Sequence, residues 1–342
     1  MASGLIEKKL PVSGNKKPFL SRIWNSLTSK LMKKKFPAPL KKKTFVARVW
    51  KDRYLLLLFL PCLIYYILFK YVPMWGVLIS FKDFKPFIGF MDSQWVGLKH
   101  YAQFFASPDA MRIIRNTLLL GIYSLVWSFP MPIIFALGLN EVTRLRFKKF
   151  VQTISYMPHF LSAVVVCGMI TTFLSPIRGV INQIIVQFGG TAINFMSLGN
   201  YFRPIYVISD VWQTMGWGAI IYLAAISNVD PQYYEAAKLD GASRLRQIWS
   251  ITLPCIAPTI TTMMILRVGS VLEVGLEKVL LLYSPAIYET SDIIATYVYR
   301  QGIISGNMSY ASAIGLFSAV VNLVLLVSAN IASKKISGTG LY

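Results

Sequence analysis

The stretch DPQYYEAAKLDGASRLRQIWSITLP occupies residues 230–254 and lies between two long apolar runs. It is the most polar piece of the chain's second half, and its local signals are those of a helical hairpin. Asp230 before Pro231 starts a helix, because the carboxylate caps free N–H groups and proline suits the first turn. Residues 233–239 favour a short helix. Gly241 suits the left-handed position beyond a helix end, and Ser243 can cap a second helix that runs on into the next apolar segment. The turn presents Glu235, Asp240 and Arg244 around the small Ala236 and Ala237, a shape that lets a helix sink into a partner's groove. A plain solvated loop would need neither the two caps nor the glycine hinge.

The surroundings of this hairpin are apolar. Of 342 residues, 55% are hydrophobic and 14% charged, with a net charge of +21. Soluble domains carry about 25% charged residues, so the composition points to an all-α polytopic membrane protein. The charge does not mark a nucleic-acid binder. Fifteen of the 35 lysines and arginines fall within residues 1–53, as in a basic cytoplasmic flank, and no basic, aromatic-interleaved domain follows. The three cysteines sit in or beside apolar runs, which argues against a disulfide framework. His100 and His159 have no Cys or His at ligand spacing, so no metal site is expected. No nucleophile–base pair can be assembled, so no catalytic residue and no chemistry on a solute are expected.

Six segments reach the roughly 20 apolar residues that span a bilayer: 54–80, 113–139, 151–175, 205–228, 249–272 and 309–333. With six spans both termini share one side. The tail, the 140–150 loop, the hairpin and the C-terminal end carry most of the positive charge, so that side is the cytoplasm. The expected organisation is a basic disordered tail (1–35), an amphipathic interfacial segment (36–53), a six-helix transmembrane domain (54–333) with the polar loop at 229–250, and a short cytoplasmic tail (334–342). Outer loops near 81–112, 176–204 and 273–308 are too long for simple turns. The segment GVINQIIVQFGG (179–190) reads as a short interfacial helix.

The hairpin's spacing is long and specific. Glu-Ala-Ala is followed by Asp-Gly-Ala three residues after the last alanine, and Leu253-Pro254 comes eleven residues beyond Ala242. It resembles the EAA loop of binding-protein-dependent ABC importer permeases. The segments VGLKHYAQFF (96–105), NTLLLG (116–121), SYMPHFLSAVVV (155–166) and IIATYVYRQGI (293–303) resemble the sugar-importer branch, and within it the polysaccharide- or lipoprotein-type subgroup. The resemblance is scattered over residues 50–342 and leaves the basic tail uncovered.

That resemblance implies a type I, maltose-permease-like fold in a bacterial cell membrane. It also implies a coupling role for Glu235, Ala236, Ala237, Asp240, Gly241 and Arg244, which would seat in a cleft of a cytoplasmic ATPase. The implied partners are a second permease, more plausibly a different chain than a copy, two ATPase subunits and an external solute-binding protein. The chain has no G-x-x-x-x-G-K-[ST] phosphate loop. No cofactor is expected on it, and ATP with Mg would be bound by the ATPase.

A path for solute is suggested by the fourth span. Asp210, Gln213, Thr214 and Trp217 fall at i, i+3, i+4 and i+7, one helical face. Their groups suit sugar hydroxyls and a stacked ring, but the same stripe could glue helices together. Arg267 in the fifth span could pair with Asp210, Glu273 or Glu277, or bind an acidic sugar. Asn322 of the sixth span could line the same path. A carbohydrate, as an oligosaccharide or polysaccharide fragment, is the expected solute. The alternatives are an importer permease for a non-sugar solute such as a peptide, and an ion-coupled secondary transporter, which would often show inverted repeats absent here.

Overall fold

The computed structural model describes residues 53–338 and 340. The expected disordered tail and nearly all of the amphipathic segment therefore lie outside the described residues. The chain divides into a unit ending at Val72 and a second beginning at Pro73. In the first, α1 (Arg53–Tyr66) continues through a π-helical turn, Ile67–Tyr71, and buries none of its side chains. Pro61 lies inside it.

The second unit is helical apart from a two-residue antiparallel pairing of β1 (Lys82–Asp83) with β2 (Gln94–Trp95). Its helices follow in order as α2 (Lys99–Ala106), α3 (Pro108–Ser128), α4 (Pro130–Glu141), α5 (Leu145–Tyr156), α6 (Ala163–Phe173), α7 (Val180–Gln187) and α8 (Gly199–Ser227). The polar hairpin is α9 (Pro231–Leu239) and α10 (Arg244–Gln247), joined by a π-turn to α11 (Leu253–Gly269). Then come α12 (Leu276–Leu282), α13 (Tyr288–Ser291), α14 (Ile294–Tyr299) and α15 (Met308–Ser337). The short helix expected at 179–190 is α7, started by Gly179 and followed by Gly189 at φ +84°. Lys334 and Lys335 sit in the last turn of α15, where cations meet the negative end of the helix dipole.

Among the described residues four helical runs are long and apolar enough to cross a membrane: Arg53–Phe81, Pro108–Glu141, Arg244–Gly269 and Met308–Lys335. A fifth is counted if Leu145–Phe160 and Ala163–Phe173 form one broken span, bent by 99°. The expectation of an uninterrupted span at 151–175 is thereby corrected. Pro158 starts a 3₁₀ turn, and Ser162 caps α6 by accepting from Val165 N–H at 3.3 Å. Segment 205–228 lies within the 29-residue α8. The polar stripe that interrupts α8 also keeps it out of the apolar set.

α8 is the axis of packing. It contributes Phe202, Tyr206 and Val207 to one buried cluster with Leu120, Val279 and Ile293, and Ala219, Tyr222 and Ile226 to another with Ala136 and Ile256. A third cluster, around Phe104, Ile113, Tyr297, Tyr310 and Ile314, closes the α2–α3–α14–α15 end. Lipid is as apolar as leucine, so helices in a membrane associate through close packing of small residues rather than exclusion of water. Gly216 shows this. A Cβ there would collide with the Ser155 backbone carbonyl on α5. Gly216→Val should therefore push α5 and α8 apart and cost about 1–3 kcal/mol, the usual price of overpacking. Thermal unfolding of the purified protein reads this out, and an unchanged midpoint would rule out a tight crossing.

Candidate functional site

The hairpin forms as its residues dictate. Asp230 Oδ1 accepts from Gln232 N–H at 2.9 Å, and Ser243 Oγ accepts from Arg246 N–H at 3.4 Å. Gly241 adopts φ +74°. Its N–H donates to Lys238 C=O at 3.1 Å, and Ala242 N–H donates to Ala237 C=O at 2.8 Å. These two bonds make a Schellman turn, in which a left-handed residue lets the chain reverse while the helix's last carbonyls stay satisfied. Ala237 and Ala242 occupy the two positions whose side chains meet across such a turn. The hairpin is fastened to the bundle by Tyr234, whose hydroxyl is 3.0 Å from the buried Thr252 hydroxyl, and internally by Gln247 Nε2, which donates to Ala242 C=O at 2.9 Å.

What the hairpin exposes is unusual for a polar loop. Glu235, Ala236, Asp240 and Gly241 face outward. With them stand Tyr233, Leu239, Leu245 and Trp249, and Leu239 is 91% exposed. Beside the turn a 490 Å³ cavity is lined by Asn140 and Glu141 from the end of α4 and by Tyr234, Lys238 and Arg244 from the hairpin. Arg244 reaches Glu141 at 4.0 Å, at the limit of ion pairing.

The polar stripe of α8 divides its labour. Asp210 accepts from Ser128 Oγ at 2.8 Å and Ser124 Oγ at 3.3 Å, both on α3. Arg267 lies 3.9 Å from Asp210 and donates to Ser124 Oγ at 2.8 Å, so among its possible acidic partners Asp210 is the one it meets. Thr214 returns its hydroxyl to Asp210 C=O at 2.8 Å. Gln213 Nε2 donates to Leu161 C=O at 3.1 Å, satisfying a carbonyl freed where the chain bends between α5 and α6. Trp217 stacks on His159 with ring centres 4.6 Å apart and planes 4° from parallel. A 770 Å³ cavity is lined by Asp210, Thr214, Trp217 and Arg267 among mostly apolar neighbours. Asn322 stands elsewhere: it is buried, and its Oδ1 accepts from Leu272 N–H at 3.2 Å, pinning the chain just after α11.

A second polar centre carried no signal strong enough to single out from the sequence. Asp292, wholly buried, receives Arg300 through two bonds at 2.7 and 3.2 Å, Thr296 Oγ1 at 2.8 Å, and Arg112 at 3.7 Å. Asn116 Nδ2 donates to Asp292 C=O at 3.1 Å and Glu289 C=O at 2.9 Å, while its Oδ1 accepts from Arg203 at 2.9 Å. The network joins α3, α8 and the 288–304 segment. Its only trace in the sequence is that two of the family-like segments, 116–121 and 293–303, meet here, with Thr117 Oγ1 accepting from Ile294 N–H at 2.9 Å.

Comparison with known proteins bears on this geometry. The family described as binding-protein-dependent transport system inner membrane component matches residues 110–338. The polygalacturonan/rhamnogalacturonan transport system permease protein YteP of Bacillus subtilis is 49% identical over 85% of this chain and 91% of its own length. The protein LplB of the same organism is 45% identical over 85% and 92%. Among solved structures, a chain of a bacterial alginate ABC transporter in complex with alginate pentasaccharide-bound periplasmic protein shares 43% identity, with a TM-score of 0.78 over 86% of this chain and 98% of that one. A chain of a bacterial ABC transporter involved in the import of the acidic polysaccharide alginate has a TM-score of 0.79 at the same identity, over 85% and 98%.

Proposed function

The chain belongs to the family of binding-protein-dependent transport system inner membrane components, and from that membership we propose that it is the permease subunit of an ATP-driven ABC importer for an oligosaccharide or polysaccharide fragment. It forms half of the translocation path, crosses the cell membrane with six spans and keeps both termini in the cytoplasm. A second, different permease completes the path. Two ATPase subunits bind ATP and Mg, and an external solute-binding protein delivers the sugar. The chain itself performs no chemistry.

The observation that carries the reading is the hairpin: a doubly capped, glycine-turned element that presents an acid and several apolar side chains outward and is fastened through Tyr234 to Thr252, just before α11. Such an element transmits movement. Closure of the ATPases would push it and rock the attached spans between two states. The relatives' named solutes, polygalacturonan, rhamnogalacturonan and alginate, support a carbohydrate. The cavity holding Asp210, Thr214, Trp217 and Arg267 supports a path through this chain.

The test is uptake of labelled oligosaccharide by the assembled complex in proteoliposomes. Uptake should require ATP, the ATPase and the receptor, and uptake driven by an ion gradient alone would overturn the proposal. Within it, Trp217→Ala should slow sugar uptake about tenfold, the worth of roughly 1.4 kcal/mol from one aromatic contact, with ATPase association unchanged. If Trp217→Ala leaves the uptake rate and solute range as they were, the indole serves only to pack against His159.

A further inference from the structure

Behind the polar stripe, where the chain breaks after α11, lies a partly open cavity of about 270 Å³. Its polar lining includes Ser124, Tyr206, Asp210, Arg267, Glu273 and Lys278. Two acids and two bases suggest balance, but their contacts do not. Asp210 is engaged by two serine hydroxyls and by Arg267. Glu273 is exposed to solvent. Lys278 is 7% exposed, and its Nζ is buried with no hydrogen-bond partner among the described residues.

The ammonium lies over the face of Tyr206, 5.3 Å from the ring centre, and feels the Asp210 carboxylate only at longer range, without a direct ion pair. The ring contact returns about 0.5–2 kcal/mol, whereas a buried charge without an ionic or hydrogen-bonding partner costs several times that. Lys278 is also held in place. Its neighbours Val279 and Leu282 on α12 are core residues, and Tyr206 accepts from Gly275 N–H at 3.2 Å at the start of the same helix. A cation fixed in a partly open, partly polar cavity, with no direct ionic or hydrogen-bonding partner, is completed by an anion that arrives from elsewhere. Arg267 lines the same cavity and has guanidinium donors beyond the one given to Ser124.

We propose that Lys278, together with Arg267, binds a carboxylate of the passing oligosaccharide, so that this permease selects uronate-bearing sugars over neutral ones. The proposal rests on the reading of the chain as a sugar-importer permease and names the chemistry of its solute.

The test uses the whole complex in proteoliposomes with saturating receptor. It compares uptake of a labelled oligogalacturonate with that of its carboxyl-reduced, neutral counterpart for wild type, Lys278→Met and Lys278→Arg, with and without chloride. Wild type should move the acidic sugar at least tenfold faster than the neutral one. Lys278→Met should erase most of that ratio while neutral uptake stays level or rises, and Lys278→Arg should restore it. Equal loss of both sugars in Lys278→Met, or an unchanged ratio, overturns the assignment and leaves the importer reading intact. A chloride requirement shared by both sugars and lost with Lys278 would make a free anion the occupant, which also overturns it. Failure of wild type to move either sugar would instead defeat the carbohydrate reading itself.

Discussion

Gly241→Pro should abolish ATP-driven uptake, by more than about a hundredfold, while the chain should still insert in the membrane and pair with the proposed second permease. The backbone at this residue has φ +74°, and proline is locked near −65°. Proline also lacks the N–H that Gly241 donates to Lys238 C=O. The turn must then open. The Ala242 to Ala237 bond is lost with it, and the second helix leaves the first at a new angle. A cost of about 3 kcal/mol at a break of this kind is enough for a hundredfold effect if only the native turn engages the ATPase. Gly241→Ala is the graded control. It keeps the N–H and bears only the penalty of a left-handed L-residue, about 1–2 kcal/mol, so its uptake should fall by roughly tenfold. Sugar-stimulated ATP hydrolysis should fall in parallel for both variants, with membrane insertion checked by protease protection. Uptake at the wild-type rate in Gly241→Pro would mean that the hairpin does not couple.

Asp292→Ala has the largest effect expected on stability. The carboxylate is fully buried and takes two bonds from Arg300, one from Thr296 and a longer approach from Arg112. Removing it strands the Arg300 guanidinium, while Arg112 keeps Asp109 at 2.7 Å, and breaking a buried ion pair from one side costs about 3–5 kcal/mol. The unfolding midpoint of the purified complex should drop by roughly 10 °C. Asp292→Asn keeps one acceptor and should lose about half as much. ATPase docking, which we place on the hairpin instead, should survive in whatever fraction remains folded. A midpoint within error of wild type would show that Arg300 finds another partner.

How far each of these was legible in the sequence depends on how local its physics is. The hairpin was, because the cap at Asp230, the proline after it, the left-handed Gly241 and the cap at Ser243 act over two to five residues. The apolar lengths of α1, α3–α4, α11 and α15 were also legible, since spanning a bilayer is a matter of composition. The bend between α5 and α6 was not. Proline is tolerated in membrane helices, so Pro158 announced nothing, and the groups that brace the break, Gln213 on the Leu161 carbonyl and Trp217 on His159, come from some 50 residues away. The same long reach explains the stripe on α8. Its four residues do share a face, but Gln213 and Trp217 brace the bend while Asp210, Thr214 and Trp217 line a cavity, a division set by which helices cross there. Asp292 was invisible for the same reason: Asn116 and Arg112 meet it across more than 170 residues of chain.

The claim on which the rest depends is that the 231–247 hairpin is gripped by the cytoplasmic ATPase. Cysteine placed at Leu239, the most exposed apolar side chain of the turn, in a background lacking Cys62, Cys167 and Cys255, tests it directly by crosslinking in membrane vesicles. The account predicts a covalent adduct between this chain and the ATPase subunit, weakened or strengthened as nucleotide is added. Labelling of that cysteine by an impermeant maleimide from the outer face, with no adduct to the ATPase, would contradict it.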